Sequence, residues 1–421
     1  MLIEIPFGKT AQVCELDQSR IEAHLEPRWP VAGENQSLYI SEALSHPIGS
    51  SRLRDLASKT RNVLIITSDN TRPVPSQVIL PPVIAEIKEG SPGATVRLLV
   101  GTGLHRWSPS EAELREKLGP AFDSLDEIIV HSAHDASSLA DFGNLSTGNA
   151  LLLNSLVKES DLVIAEGFIE GHFFAGFTGG PKSVLPGVSG PETIMNNHSY
   201  KNLDNPMARC GVTEGNPVYE EMREASFKSG LRFIVNVVLD RKKRIISACA
   251  GHPIEAHKVG SSFALGCCSV TAAPAEIVIT SNGGYPLDRN LYQLVKGISN
   301  GALTARKGGV IVACGECMDG IGDEGFCSLM SSTDSPTELL KKLKSGEIRQ
   351  EGQWQAQILA KILERFHVIV VSRGVEPKVV ESMHMTHART LKEGLEEANA
   401  IQPHGRVTVL PDGPSAIPFP Q

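Results

Sequence analysis

Short runs of β-branched and aliphatic residues recur along this chain with amphipathic stretches of helical spacing between them, and that alternation limits the fold more than any other feature. The runs fall at 62–67, 96–100, 127–130, 162–165, 233–239, 276–280, 309–313, 368–372 and 407–410. Helical patterns fall at 78–88, 109–118, 291–305, 337–343, 355–365 and 391–400. Parallel strands need a crossover to reach one another, and a helix is the usual crossover. The order therefore predicts an α/β fold of mainly parallel sheets flanked by helices. At 421 residues the chain exceeds what one hydrophobic core commonly supports. Two domains are expected, with the active site in the cleft between them.

The boundary is expected at 267–274, a run of small residues closed by Pro274 just before a new strand. That gives a cofactor-binding catalytic domain over 1–270 and a second α/β domain over 274–400. Residues 401–421 carry a last strand between breakers, which pairs in the second domain or returns to the first. The first residues read as an edge strand, because Glu4 interrupts their apolar stretch and no basic start precedes it. A net charge of −8 gives no general attraction to nucleic acid or to an anionic membrane. No apolar run has the length of a membrane helix. Eight cysteines, Cys267 and Cys268 adjacent, do not form the pattern of a secreted disulfide framework, so a cytoplasmic protein is expected.

Chemistry concentrates where strands end. The run 162–165 leads into Glu170-Gly-His172 and on through Gly179-Gly180-Pro-Lys182 to Gly187, with His198 beyond, a stretch too polar and glycine-rich for core. Glycines let a backbone approach a ligand, Pro181 locks one torsion, and Lys182 is thereby held in a fixed place. Ser68-Asp69-Asn-Thr71-Arg72-Pro follows another strand. Arg72 is suited to clamp a carboxylate or phosphate, although a capped helix start accounts equally well for the residues around it. Gly101-Thr-Gly103-Leu-His105 follows a third. If these strands are parallel neighbours, His105, Arg72 and His172 share one edge, where open α/β sheets bind ligands. Gln293 and Lys296 lie three apart and share a helical face, which reads as an anion contact or as a solvated face. His131, His134 and Asp135 lack a partner cluster at zinc spacing and read as structural or supporting. Cys314 and Cys317 lack a second pair and read as structural.

Together these segments resemble the nickel-dependent lactate racemase family. The likeness rests on Asp69-Asn-Thr-Arg72-Pro, Gly101-Thr-Gly-Leu-His105, Gly171-His172 through Lys182, His198, and Gly283-Gly-Tyr-Pro-Leu-Asp288 through Tyr292-Gln293 and Lys296. It implies a racemase or epimerase that inverts C2 of a 2-hydroxy acid. It also implies a nickel-pincer nucleotide, a pyridinium mononucleotide with a sulfur-carbon-sulfur grip on nickel, tethered through a thioamide to Lys182. By the same resemblance His198 is the protein ligand to nickel, and His105 and His172 are the acid-base pair. Asp69, Thr71, Gly179 and Gly180 then lie against the cofactor. Arg72, Tyr292, Gln293 and Lys296 hold the substrate, and accessory proteins build the cofactor. Composition and spacing reveal none of this. Two other readings stay open: a zinc hydrolase using His172, His198 and a carboxylate, and a nucleotide-binding protein without turnover.

Overall fold

The computed structural model describes residues 1–419, so Pro420 and Gln421, the end of the expected tail, lie outside the described residues. The chain forms two compact units. One comprises Trp29–His198 and Met207–Gly266, the other Met1–Arg28, Ser199–Pro206 and the residues from Cys267 onward.

The first unit is built on a six-stranded sheet with the spatial order Ile245–Gly251, Leu231–Leu239, Leu162–Phe168, Asn62–Ser68, Thr95–Gly101, Glu127–Val130. Neighbours are parallel except at the Ile245–Gly251 edge, which runs antiparallel to Leu231–Leu239. A strand covered on both faces meets no water and stays apolar along its length instead of alternating. Val63 through Ile66 are at most 1% exposed, and every residue of Leu162–Phe168 is buried. Ile40, Leu53, Ile79, Leu80, Val83 and Ile87, from the helices Gln36–Ser45, Leu53–Ala57 and Ser76–Gly90, join Val63, Ile65, Val96 and Leu98 of the strands in one core. Pro81 and Pro82 sit inside the Ser76–Gly90 helix on a partly exposed side, where water can take up the carbonyls that lose an N–H partner. From Asn62–Ser68 the sheet grows to both sides, to Thr95–Gly101 and to Leu162–Phe168. This is a switch point, beyond whose carboxyl ends ligands bind.

The second unit has its own six-stranded sheet, parallel throughout, in the order Thr386–Ala388, His367–Val371, Ala305–Cys314, Ala275–Ser281, Val407–Leu410, Ile21–His24. The expected division of the chain is corrected here. Residues 1–28 and 199–206 belong with the unit that resumes at Cys267, not with a 1–270 domain. The tail strand Val407–Leu410 lies between Ala275–Ser281 and Ile21–His24, so it pairs with one strand from each side of the expected boundary, both now in this unit. Strand pairing is the cause: Ile21–His24 closes the sheet edge, yet Ile-Glu-Ala-His is too short and polar to announce a strand. Before it, Leu2–Phe7 and Thr10–Glu15 form an antiparallel ribbon. Among the described residues no helix is long and apolar enough to cross a membrane.

Candidate active site

The loop that leaves Asn62–Ser68 turns on Asp69, which is 2% exposed. Its Oδ1 accepts the Thr71 N–H at 3.0 Å and the Thr71 hydroxyl at 2.5 Å, and its Oδ2 lies 2.8 Å from His105 Nδ1. Burial alone would raise the Asp69 carboxyl. The hydrogen bonds from His105 and the Thr71 hydroxyl, with the charge of the Arg72 guanidinium, outweigh it and hold the carboxyl below its usual range. An ionised carboxylate only accepts, so His105 Nδ1 carries the hydrogen and the ring's lone pair sits on Nε2. The neighbouring parallel strand brings His105 here, so Asp69, Thr71, Arg72 and His105 form one group.

Leu162–Phe168 runs into a tight hairpin, Gly171–His172 against Gly176–Phe177, and then into the loop that bears Lys182. Buried polar groups fix that loop from below. The Thr178 hydroxyl donates to Phe168 O at 2.8 Å and accepts the Glu170 N–H at 2.9 Å. Asn236, wholly buried on Leu231–Leu239, accepts the Gly180 N–H at 2.7 Å. His257 Nε2 lies 2.9 Å from Thr178 O, and its Nδ1 lies 3.0 Å from the Tyr219 hydroxyl. Burial pushes the His257 ring down to about 4 against the pull of the Thr178 carbonyl, so it is neutral, donating from Nε2 and accepting from Tyr219. Gly180 has φ +52, and a Cβ there would stand 2.6 Å from the His257 ring, so this turn admits only glycine. The Gly103 N–H donates to Gly187 O at 2.9 Å, which ties the His105 loop to the Lys182 loop.

His172 is buried, and its Nδ1 accepts the Ala175 N–H at 3.2 Å. When neutral it keeps its hydrogen on Nε2, the tautomer opposite to that of His105. Phe174 stands edge-on to both His172, at 4.6 Å between ring centres, and His198, at 4.9 Å. His198 follows the helix Pro191–Asn197, with Nδ1 3.0 Å from Asn197 Oδ1. The amide oxygen can only accept, so the His198 lone pair also sits on Nε2. Burial first, then the positive charge of Lys182, push this ring down to about 3. A neutral imidazole near an ammonium results, with its lone pair in the form a metal ion takes.

Of the sequence candidates, Asp69, Thr71, Arg72, His105, His172, Gly179, Gly180, Lys182 and His198 thus stand in one unit. Tyr292, Gln293 and Lys296 stand in the other, on the helix Leu291–Ala302, whose cap Asn290 accepts the Gln293 N–H at 2.9 Å. His131 is structural: Nε2 meets Ser189 O at 3.1 Å and Nδ1 meets the Asn154 amide at 3.2 Å. Cys314 and Cys317 are buried, and burial raises both thiols, which leaves them unreactive. Among the described residues no three His, Cys, Asp or Glu side chains gather as metal ligands. Sequence reasoning missed Asn197, Tyr219, Glu221, Asn236 and His257. Of these Asn236 alone carries a signal, a polar residue inside Phe-Ile-Val-Asn-Val-Val.

Residues 7–211 match the lactate racemase N-terminal domain family, and residues 270–417 match the lactate racemase C-terminal domain family. A lactate racemase of Thermoanaerobacterium thermosaccharolyticum is 42% identical over 421 residues, covering 99% of this chain and 98% of that protein. A lactate racemase of Lactiplantibacillus plantarum is 41% identical over 420 residues, covering 99% of each. The solved lactate racemase apoprotein from T. thermosaccharolyticum has a TM-score of 0.95 at 41% identity, with 100% of both chains covered. A crystal structure of a Thermotoga maritima protein, 17% identical with a TM-score of 0.70 over 93% of this chain and 100% of that one, shares the fold alone. With both domain families in order and such likeness from end to end, this chain belongs to the lactate racemase family and is an enzyme of the isomerase class.

Proposed function

We propose that this enzyme racemises a 2-hydroxy acid by reversible hydride transfer at C2, with a nickel-pincer nucleotide tethered at Lys182 and lactate as the first substrate to test. One observation carries the reading above the rest: His198 is 4% exposed, and the 3.0 Å contact of its Nδ1 with Asn197 Oδ1 leaves the ring's lone pair on Nε2, in the unit that also holds Lys182. A ligand to a soft nickel centre needs such a lone pair, and a tether needs a lysine beside it. The residues fit the group. Lys182 would carry the nucleotide, His198 Nε2 would bind nickel, and the turn at Gly179 and Gly180 would lie against it without side chains in the way.

Pulling a proton from carbon beside a carboxylate would set two negative charges side by side, which a histidine base alone is too weak to drive. When bound, the nucleotide supplies an electrophilic acceptor for the hydrogen together with its electron pair. The hydroxyl proton is then the protein's task. His105 Nε2 takes it, and the Asp69 carboxylate offsets the positive charge gained by the ring. His172 can return a proton to the carbonyl oxygen only as imidazolium, so it must first take up a hydrogen on Nδ1 and part from the Ala175 N–H; it then gives the Nε2 hydrogen and is left neutral. For the other hand the two exchange tasks, which likewise requires His172 to part from the Ala175 N–H. Arg72 pairs with the carboxylate while the planar 2-keto acid turns its other face. Tyr292, Gln293 and Lys296 share in holding the substrate, as the resemblance implies.

The test uses holo-protein from a host that makes the cofactor through its accessory proteins. Pure enantiomers of lactate, malate and longer aliphatic or aromatic 2-hydroxy acids are incubated, and optical purity is followed by chiral chromatography. At least one acid should racemise from both hands. Nickel-loaded protein that leaves the whole panel optically pure would overturn the proposal.

A further inference from the structure

Behind His198 runs a buried hydrogen-bonded column that ends on a carboxylate. Asn197 Oδ1 takes the Nδ1 hydrogen of His198 at 3.0 Å. Asn197 Nδ2 donates to Glu221 Oε2 at 2.9 Å and to Val218 O at 3.0 Å. Both partners only accept, which settles the way the amide faces. Glu221 Oε1 accepts from Thr147 Oγ1 at 2.7 Å and from Asn149 Nδ2 at 3.1 Å. His198, Asn197 and Glu221 are 4%, 0% and 4% exposed. Val218 and Glu221 stand on the helix Pro217–Lys228, held at its start by the buried Asn216, which accepts the Val218 N–H at 3.1 Å.

Packing alone gives no reason for this column. A buried carboxylate costs several kcal/mol to desolvate, and apolar side chains of similar volume would fill the space as well. The column does have an effect at its far end. Glu221 draws on the amide N–H, which makes Asn197 Oδ1 a stronger acceptor. A stronger bond at Nδ1–H fixes the plane of the His198 ring and raises the donor strength of Nε2. An amide between ring and carboxylate transmits this polarity, yet the amide cannot accept the proton itself.

We propose that Asn197 and Glu221 are positioning residues which aim His198 Nε2 and set how long it keeps its metal ion. The inference rests on the proposed role of His198 as nickel ligand.

The experiment compares nickel-loaded holo-protein with the variants Asn197→Ala, Glu221→Gln and His198→Ala. Nickel release into excess chelator is timed, the mass of the intact chain reports the tethered nucleotide, and visible absorption reports the metal's ligands. Glu221→Gln keeps the shape of the column while removing its charge and turning one of its two accepting oxygens into a donor, so it serves where Asn197→Ala fails to fold. Release should quicken about 10–100-fold in Asn197→Ala, and to a lesser degree in Glu221→Gln. The adduct mass should stay unchanged and the absorption should shift. Wild-type release rates in folded Asn197→Ala and Glu221→Gln, beside fast release in His198→Ala, would sink the column's role alone. A His198→Ala protein that holds nickel as long as wild type would sink both this proposal and the reading beneath it.

Discussion

Two imidazoles of the same unit are held by the same nitrogen, and what holds them differs. At His105 the acceptor is the Asp69 carboxylate, whereas at His198 it is the Asn197 amide, with the Glu221 carboxylate one bond further back. The His105 side chain is 51% exposed, and His198 is 4% exposed. A carboxylate in direct contact fixes the tautomer and also offsets charge on the ring, which suits a group that gains and loses a proton in each turnover. An amide fixes the tautomer without that offset. With burial and the nearby Lys182 charge it keeps the ring neutral, as a ligand must be. The difference between base and ligand lies in the charge of the acceptor and the access of water.

Breaking the buried side should do the most damage. His198→Ala is expected to bring racemisation down to background in a chain that still folds, as circular dichroism and a chiral assay on both enantiomers would report. Next comes giving His105 the kind of acceptor that His198 has. Asp69→Asn should lower turnover by about 10²-fold or more, within the span general acid-base groups supply, and steady-state rates from each hand measure it. Turnover like wild type would mean that the carboxylate does not set the base.

The support beneath Lys182 sharpens the contrast through stability. Gly180→Ala would place a Cβ 2.6 Å from the His257 ring at φ +52. It should cost about 1–3 kcal/mol in a denaturant melt and reduce the fraction of chains carrying the adduct. The smallest effect is a slope. An unfolded His257 takes its proton near the ordinary 6.5, while the native ring resists until about 4. The unfolded chain therefore binds more protons between those values, and stability present above 6.5 is lost as pH falls through this window. His257→Gln should flatten that decline in thermal melts taken from pH 7 to pH 4; an unchanged slope would show that the ring is not a buried neutral one.

The parallel sheets were legible because strands buried on both faces are apolar from end to end, as at Val63–Ile66 and Leu162–Ala165. Ile21–His24 and the ribbon of Leu139–Asn144 with Ala150–Asn154 were not, because edge and surface strands need few apolar residues. His105, His172 and Lys182 stood out because glycine, histidine and lysine directly after a strand have little structural purpose. The bond from Asp69 to His105 spans 36 residues and exists only because two strands lie side by side, so no local pattern announces it. Glu221 follows Glu220 and reads as a solvated helix face, yet it points inward at 4% exposure.

The most direct measurement is the mass of the peptide containing Lys182, taken from holo-protein that is visibly racemising its substrate, with nickel counted in the same sample. The account predicts a nucleotide-sized adduct on that lysine, one nickel per chain, and loss of both adduct and activity in Lys182→Ala. An actively racemising enzyme whose Lys182 is unmodified would contradict it.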